Sequence, residues 1–179
     1  MDPRIRLIAE ELERLKGRTQ LSFPDRVIGI QKYKISCKIP AQQSAARFKE
    51  ILQLVDKQFL EQSYLRVESW QTTLPSWFIS QFAPERTEAE MLAYLAFLDR
   101  ISYQEKLNLA ASQQPWSLSN WLAQIEPDAR EWFYWSLELA GVNEYVIDLI
   151  VEGYPFASEA FVFLMQTLGA STVTELNSG

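Results

Sequence analysis

Residues 26–39, RVIGIQKYKISCKI, decide how this chain is read. From Gln31 onward the side chains alternate. Tyr33, Ile35, Cys37 and Ile39 fall on one side, and Lys32, Lys34, Ser36 and Lys38 on the other. Period-two alternation predicts a strand with one buried face and one wet face. Ile28 and Ile30 sit on the opposite parity, so the slip near Gly29 predicts a bulge or a strand start buried on both faces.

On the N-terminal side, residues 3–16 place Ile5, Ile8, Leu12 and Leu15 on one helical stripe. Pro3 suits the first turn and Gly17 the stop. On the C-terminal side, Pro40 opens a helix to about Glu61, apolar at Ala45, Phe48, Ile51, Leu52, Val55 and Phe59. Residues 64–73, YLRVESWQTT, read as a second strand.

Beyond Leu74 the spacing predicts helices. Thr87–Glu90 is a capping box that launches a helix to about Ala110, with Met91, Leu92, Leu95, Leu98 and Ile101. A short helix follows over 118–125. The stretch 128–140 carries Trp132, Phe133, Tyr134 and Trp135, apolar on nearly every side, and reads as a centrally buried helix. Two further helices are expected over 142–151 and 157–168, with Gly169 as the stop and a frayed tail over 170–179. The expected fold is α+β. A small sheet of two or three strands lies within the first 75 residues, packed by helices, and a mostly helical C-terminal portion completes the core. The chain reads as one domain, 1–179, with a seam near residue 73 between an αβαβ portion (1–73) and a helical portion (74–169).

Composition narrows the function. The 179 residues are 47% hydrophobic and 22% charged, which suits a globular core and not a disordered chain. No apolar run is long enough for a transmembrane helix, and the N-terminus lacks the apolar segment of a signal peptide. The single cysteine, Cys37, excludes an intramolecular disulfide; a reducing, cytoplasmic setting is expected. Cys37 falls on the inward side of its strand and reads as an inert core thiol.

The chain contains no histidine. That removes every histidine-based catalytic relay and the usual zinc ligand sets. There is no glycine-rich phosphate loop. Pro24-Asp25 with Lys32 and Lys34 lacks the acidic residue that a Pro-Asp…(Asp/Glu)-x-Lys nuclease places before its lysine. No catalytic residue, metal ligand or cofactor is expected from motif.

Charge is uneven. Residues 1–72 hold 13 basic and 9 acidic side chains, whereas residues 73–179 hold 4 and 14. Three surfaces stand out. Glu144, Asp148 and Glu152 are spaced by four and would share a helical face able to dock a basic partner. Trp77 and Trp116 sit beside prolines in connecting segments and are candidate aromatic anchors. Arg26, Lys32, Lys34 and Lys38 form a basic strand face that could contact phosphates, although the acidic balance of the chain argues against nucleic acid. The expected function is a non-catalytic adaptor, assembly factor or regulator that binds another protein. The alternatives are a nucleic-acid-associated protein using the basic face, or an enzyme whose carboxylates come from distant segments. The uneven charge map is also compatible with a homodimer.

Overall fold

The computed structural model describes residues 2–18, 29–61, 66–112 and 116–176. In chain order the elements are α1 (Pro3–Leu15), β1 (Gly29–Cys37), α2 (Ala41–Glu61), α3 (Val67–Thr73), α4 (Ser76–Ile79), α5 (Glu88–Leu98), α6 (Tyr103–Ser112), α7 (Leu118–Ile125), β2 (Trp132–Leu139), β3 (Glu144–Val151), α8 (Glu159–Thr167) and β4 (Ala170–Leu176). The four strands form one antiparallel sheet in the order β2-β3-β1-β4.

The fold is α+β, but the sheet is not confined to the N-terminal 75 residues. Of the two strands expected there, β1 stands and the described part of 64–73 is helical, as α3. The other three strands lie at 132–139, 144–151 and 170–176, where helices and a frayed tail were expected. The sheet is therefore built from both sides of residue 73.

The reasons are local. Trp132-Phe133-Tyr134-Trp135 is apolar on all sides because this strand is covered on both faces near its start, not because it is a central helix. Large aromatic residues favour extended backbone. In β3, Tyr145, Ile147, Leu149 and Val151 are buried on one face. Glu144, Val146 and Asp148 alternate with them and are only partly buried. A spacing of four is even, so Glu144 and Asp148 share a strand face as readily as a helix face. The branched residues Val146, Ile147, Ile150 and Val151 then decide for the strand.

The main core lies on one face of the sheet. β1 contributes Tyr33, Ile35 and Cys37 to it, and α2 covers it with Phe48, Ile51, Leu52 and Val55. α7 and α8 close it with Trp121, Leu122, Phe161, Leu164 and Met165. On the opposite face, α1 covers only one end, where Leu7 and Ile8 pack on Phe133 and Ile150. The rest of that face stays wet.

The buried stripe of α1 is Leu7, Ile8, Glu11, Arg14 and Leu15, so the helix is rolled away from the expected Ile5–Ile8–Leu12–Leu15 stripe. Two charged residues are thereby carried inside. β4 begins straight after α8, and Gly169 makes the join at φ 97°. A Cβ there would also stand 2.9 Å from Ile39 Cγ1. Gly169→Ala is expected to lower stability by about 1–3 kcal/mol through the left-handed backbone and this contact, readable from urea unfolding midpoints.

Candidate functional site

The acidic stripe and the basic row meet on a single surface. β1 and β3 are neighbours, and their register sets Lys32 opposite Asp148 and Ser36 opposite Glu144. Lys32 Nζ lies 2.9 Å from Asp148 Oδ1, and Lys34 Nζ lies 3.1 Å from Glu144 Oε1. Ser136 Oγ donates to Asp148 from β2, and Ser36 Oγ donates to Glu144. Hydrogen bonds from Lys34 and Ser36 hold the Glu144 carboxyl below its ordinary range. Glu152, just past β3, pairs with Arg4 of α1 at 2.9 Å. Lys38 is exposed beyond the end of β1, and Arg26 lies outside the described residues. The wet face of the sheet is thus a mixed, self-neutralised patch.

Trp77 and Trp116 are both half-buried against the main core. The Arg47 guanidinium lies 4.9 Å from the Trp77 ring centre, and Trp116 packs on Phe163 at 6.1 Å.

Three charged side chains are fully buried beneath α1: Glu11, Asp56 and Arg130. Arg130 Nη1 reaches Asp56 Oδ1 at 3.0 Å, Nη2 reaches Glu11 Oε1 at 2.7 Å, and Nε donates to Trp132 O at 2.8 Å. The backbone N–H of Tyr134 also donates to Glu11. The Arg130 guanidinium lies 4.4 Å from the Trp132 ring centre and 5.1 Å from that of Phe133. Burial pushes the Glu11 carboxyl up and the Asp56 carboxyl well up, the Glu11 charge adding to the rise at Asp56, while the Arg130 charge opposes the rise in both. The second oxygens, Glu11 Oε2 and Asp56 Oδ2, find no other donor. This is a carboxylate cluster assembled from distant segments, but with every member sealed from solvent it ties α1, α2 and β2 together.

Among the described residues, no group of three or more His, Cys, Asp or Glu side chains is placed to hold a metal ion. No helix there is long and apolar enough to cross a membrane.

Among the described residues, those between Ala83 and Ser117 are the least buried stretch. Its root is tied by a bridge between those two residues, with Ala83 N–H donating to Trp116 O at 2.9 Å. At the root, Glu85 accepts from Ser119 N and Oγ at 2.8 and 2.6 Å, so a carboxylate already occupies the start of α7. Thr87 and Glu90 complete the expected capping box of α5. A hollow of about 490 Å³ at this root is lined by Glu85, Arg86, Glu90, Tyr94 and Ser119 among others. Its two acids are the ones committed to the helix ends, and Arg86 lies 3.9 Å from the Tyr94 ring centre.

The helix expected from Thr87 to about Ala110 is broken into α5 and α6. Ser102 N–H donates to Glu105 Oε2, and Glu105 N–H donates back to Ser102 Oγ. This second capping box, Ser102-Tyr103-Gln104-Glu105, was readable in the sequence as a helix start. Neither α5 nor α6 buries a single residue. Leu92 is 61% exposed, Leu95 50% and Tyr103 75%, with Met91, Phe97 and Leu107 also open. The expectation that this segment completes the core does not hold. Met91, Leu95 and Leu98 form one stripe of α5, Leu92 lies beside it, and Phe97 points to the other side.

No family model, curated protein or solved structure matches this chain.

Proposed function

We propose that this protein is a non-catalytic docking module, an adaptor, assembly factor or regulator, that binds another polypeptide through α5 and α6. One observation carries the reading: beyond its acidic first turn α5 is apolar around its circumference, and none of its residues is buried. A helix of that composition belongs in an interior. Contiguous exposed apolar surface of this kind marks interaction sites. Covering Met91, Leu92, Leu95, Phe97, Tyr103 and Leu107, each already partly exposed, gains on the order of 1 kcal/mol per side chain.

The mixed-charge sheet face suits this role less well, because Lys32 and Lys34 already neutralise Asp148 and Glu144. A cytoplasmic setting belongs to the same proposal and is supported by the unpaired, buried Cys37.

The test is co-purification from the native cell, with nuclease present, of the wild type and a Leu92→Glu/Leu95→Glu variant. Both positions are exposed, so the variant is expected to fold. A protein retained stoichiometrically by the wild type and lost from the variant is the expected result. Equal retention by both overturns α5 and α6 as the docking surface.

A further inference from the structure

We propose that the outer edge of β2, beside α2, takes up an extended segment of another polypeptide as an added antiparallel strand, with a carboxylate of that segment on Lys49. This surface is independent of α5 and α6. β2 lies at one end of the sheet, so one of its edges has no strand beside it. Along the first half of that edge the buried charged cluster supplies the partners. Tyr134 N–H donates to Glu11, and Trp132 O accepts from Arg130 Nε.

The second half is open. Beyond the shift in register between Tyr134 and Ser136, Ala140 N–H donates to Glu144 O at 2.9 Å, so residue 140 faces β3. Backbone groups alternate in direction along an antiparallel strand, which turns the N–H and C=O of Leu137 and Leu139 away from the sheet. Among the described residues neither finds a backbone or side-chain partner there. An edge of this kind is a template for strand addition.

A hollow of about 370 Å³ lies beside this edge, lined by Gln42, Ala45, Ala46 and Lys49 of α2 and by Leu137 and Leu139. Ala41 N–H donates to Val142 O at 2.8 Å, which pins the start of α2 beside the far end of β2. The small side chains of Ala45 and Ala46 leave the room, and Leu139, 50% exposed, gives an apolar wall. A strand added to β2 turns every second side chain toward α2, so apolar residues at alternate positions fit here. Lys49 stands at the Tyr134 end, 6.0 Å from that ring centre, and among the described residues it enters no ion pair. β2 runs from the Tyr134 end to Leu139, so an antiparallel segment finishes at Lys49. Its α-carboxylate, or an Asp or Glu side chain near its end, supplies the charge that Lys49 lacks.

Selection from random heptapeptides displayed with free C-termini, and from the same heptapeptides flanked on both sides, tests the proposal. The expected result is enrichment of sequences with apolar residues at alternate positions. Enrichment confined to free C-termini assigns the α-carboxylate, and enrichment of flanked sequences carrying Asp or Glu assigns a side chain. Synthetic peptides of the enriched sequences should lose about tenfold in affinity on Lys49→Glu and on Ala46→Trp, read by fluorescence anisotropy. Ala46 is exposed and Lys49 half-buried, so both variants are expected to fold, and circular dichroism confirms it. The amides of Leu137 and Leu139 should exchange more slowly with peptide bound. No enrichment from either library overturns the proposal, as do peptides that bind both variants as tightly as the wild type. Peptides lost instead on Leu92→Glu/Leu95→Glu overturn it and leave the α5 and α6 reading standing. A wild type that sediments as a dimer, lost on Ala46→Trp, also overturns it by placing a second copy on the edge.

Discussion

Arg130→Met is expected to lower the unfolding free energy by about 3–5 kcal/mol, because it leaves buried carboxyl groups without their cation. Glu11 and Asp56 lose their direct ion-pair partner, and the Trp132 carbonyl loses the Nε–H donor. Asp56→Asn is the informative counterpart. Burial pushes the Asp56 carboxyl well up toward its neutral form, and a neutral amide can still accept from Arg130, so a change within about 1 kcal/mol is expected. Equal damage from the two substitutions would mean that Asp56 is ionised. The pH dependence carries the same signature. Both carboxyls titrate higher in the folded chain than their ordinary values of 4.5 and 3.8, so folding takes up a proton. The stability tied to that proton is fully present below the ordinary values and declines as pH rises through the raised folded ones. Relative to Asp56→Asn, the wild type should therefore weaken with rising pH across that window, by at most about 1.4 kcal/mol per pH unit for one proton. Parallel urea melts from pH 3.5 to 8 (roughly the interval over which such groups titrate) supply the difference.

Trp121→Ala is the second large effect, with an expected loss of about 3–5 kcal/mol. Trp121 has no exposed surface and joins α7 to α8 through its indole N–H, which donates to Ala160 O at 3.1 Å. Its ring centre also lies 5.3 Å from Phe78 and 5.7 Å from Phe82. Removing it opens a cavity between three elements that the sheet cannot close, because α8 is held in place by β4 immediately behind it. Trp121→Phe keeps most of the volume and removes only the indole N–H donor, since the Ala160 carbonyl keeps its place in the hydrogen-bond ladder of α8, so about 0.5–1.5 kcal/mol is expected. A ratio near one between the two losses would show that the hydrogen bond, and not the packing, dominates.

What could be read from the sequence followed the strength of local periodicity. β1 was legible because Tyr33, Ile35 and Cys37 alternate with lysines, and α2 because its apolar face runs for 21 residues. The Glu144–Asp148–Glu152 spacing satisfied a helix and a strand equally, so it decided nothing, and residues 140–143 join two strands where two helices were expected. β4 was missed because Ser171, Thr172, Thr174 and Glu175 form no apolar pattern; an edge strand with one exposed face needs none. The charged cluster was illegible for a different reason. Glu11, Asp56 and Arg130 have surface identities, and only tertiary packing reveals that they neutralise one another. The open face of α5 was illegible too, since an apolar helix in sequence looks the same whether or not anything covers it.

The position of β1 has a consequence for how the chain acquires its shape. Its neighbours are β3 and β4, and its register pairs Gly29 with Val151 and Lys32 with Leu176. The central strand is made early and its partners arrive last. Neither edge of β1 can be satisfied until nearly all of the chain is available, so little of the N-terminal half can settle during synthesis. Such distant pairings slow folding and prolong the exposure of unpaired strand edges. A nascent chain halted before Ala170 would present a hydrophobic strand with one side unpaired, which is the kind of surface that chaperones shield.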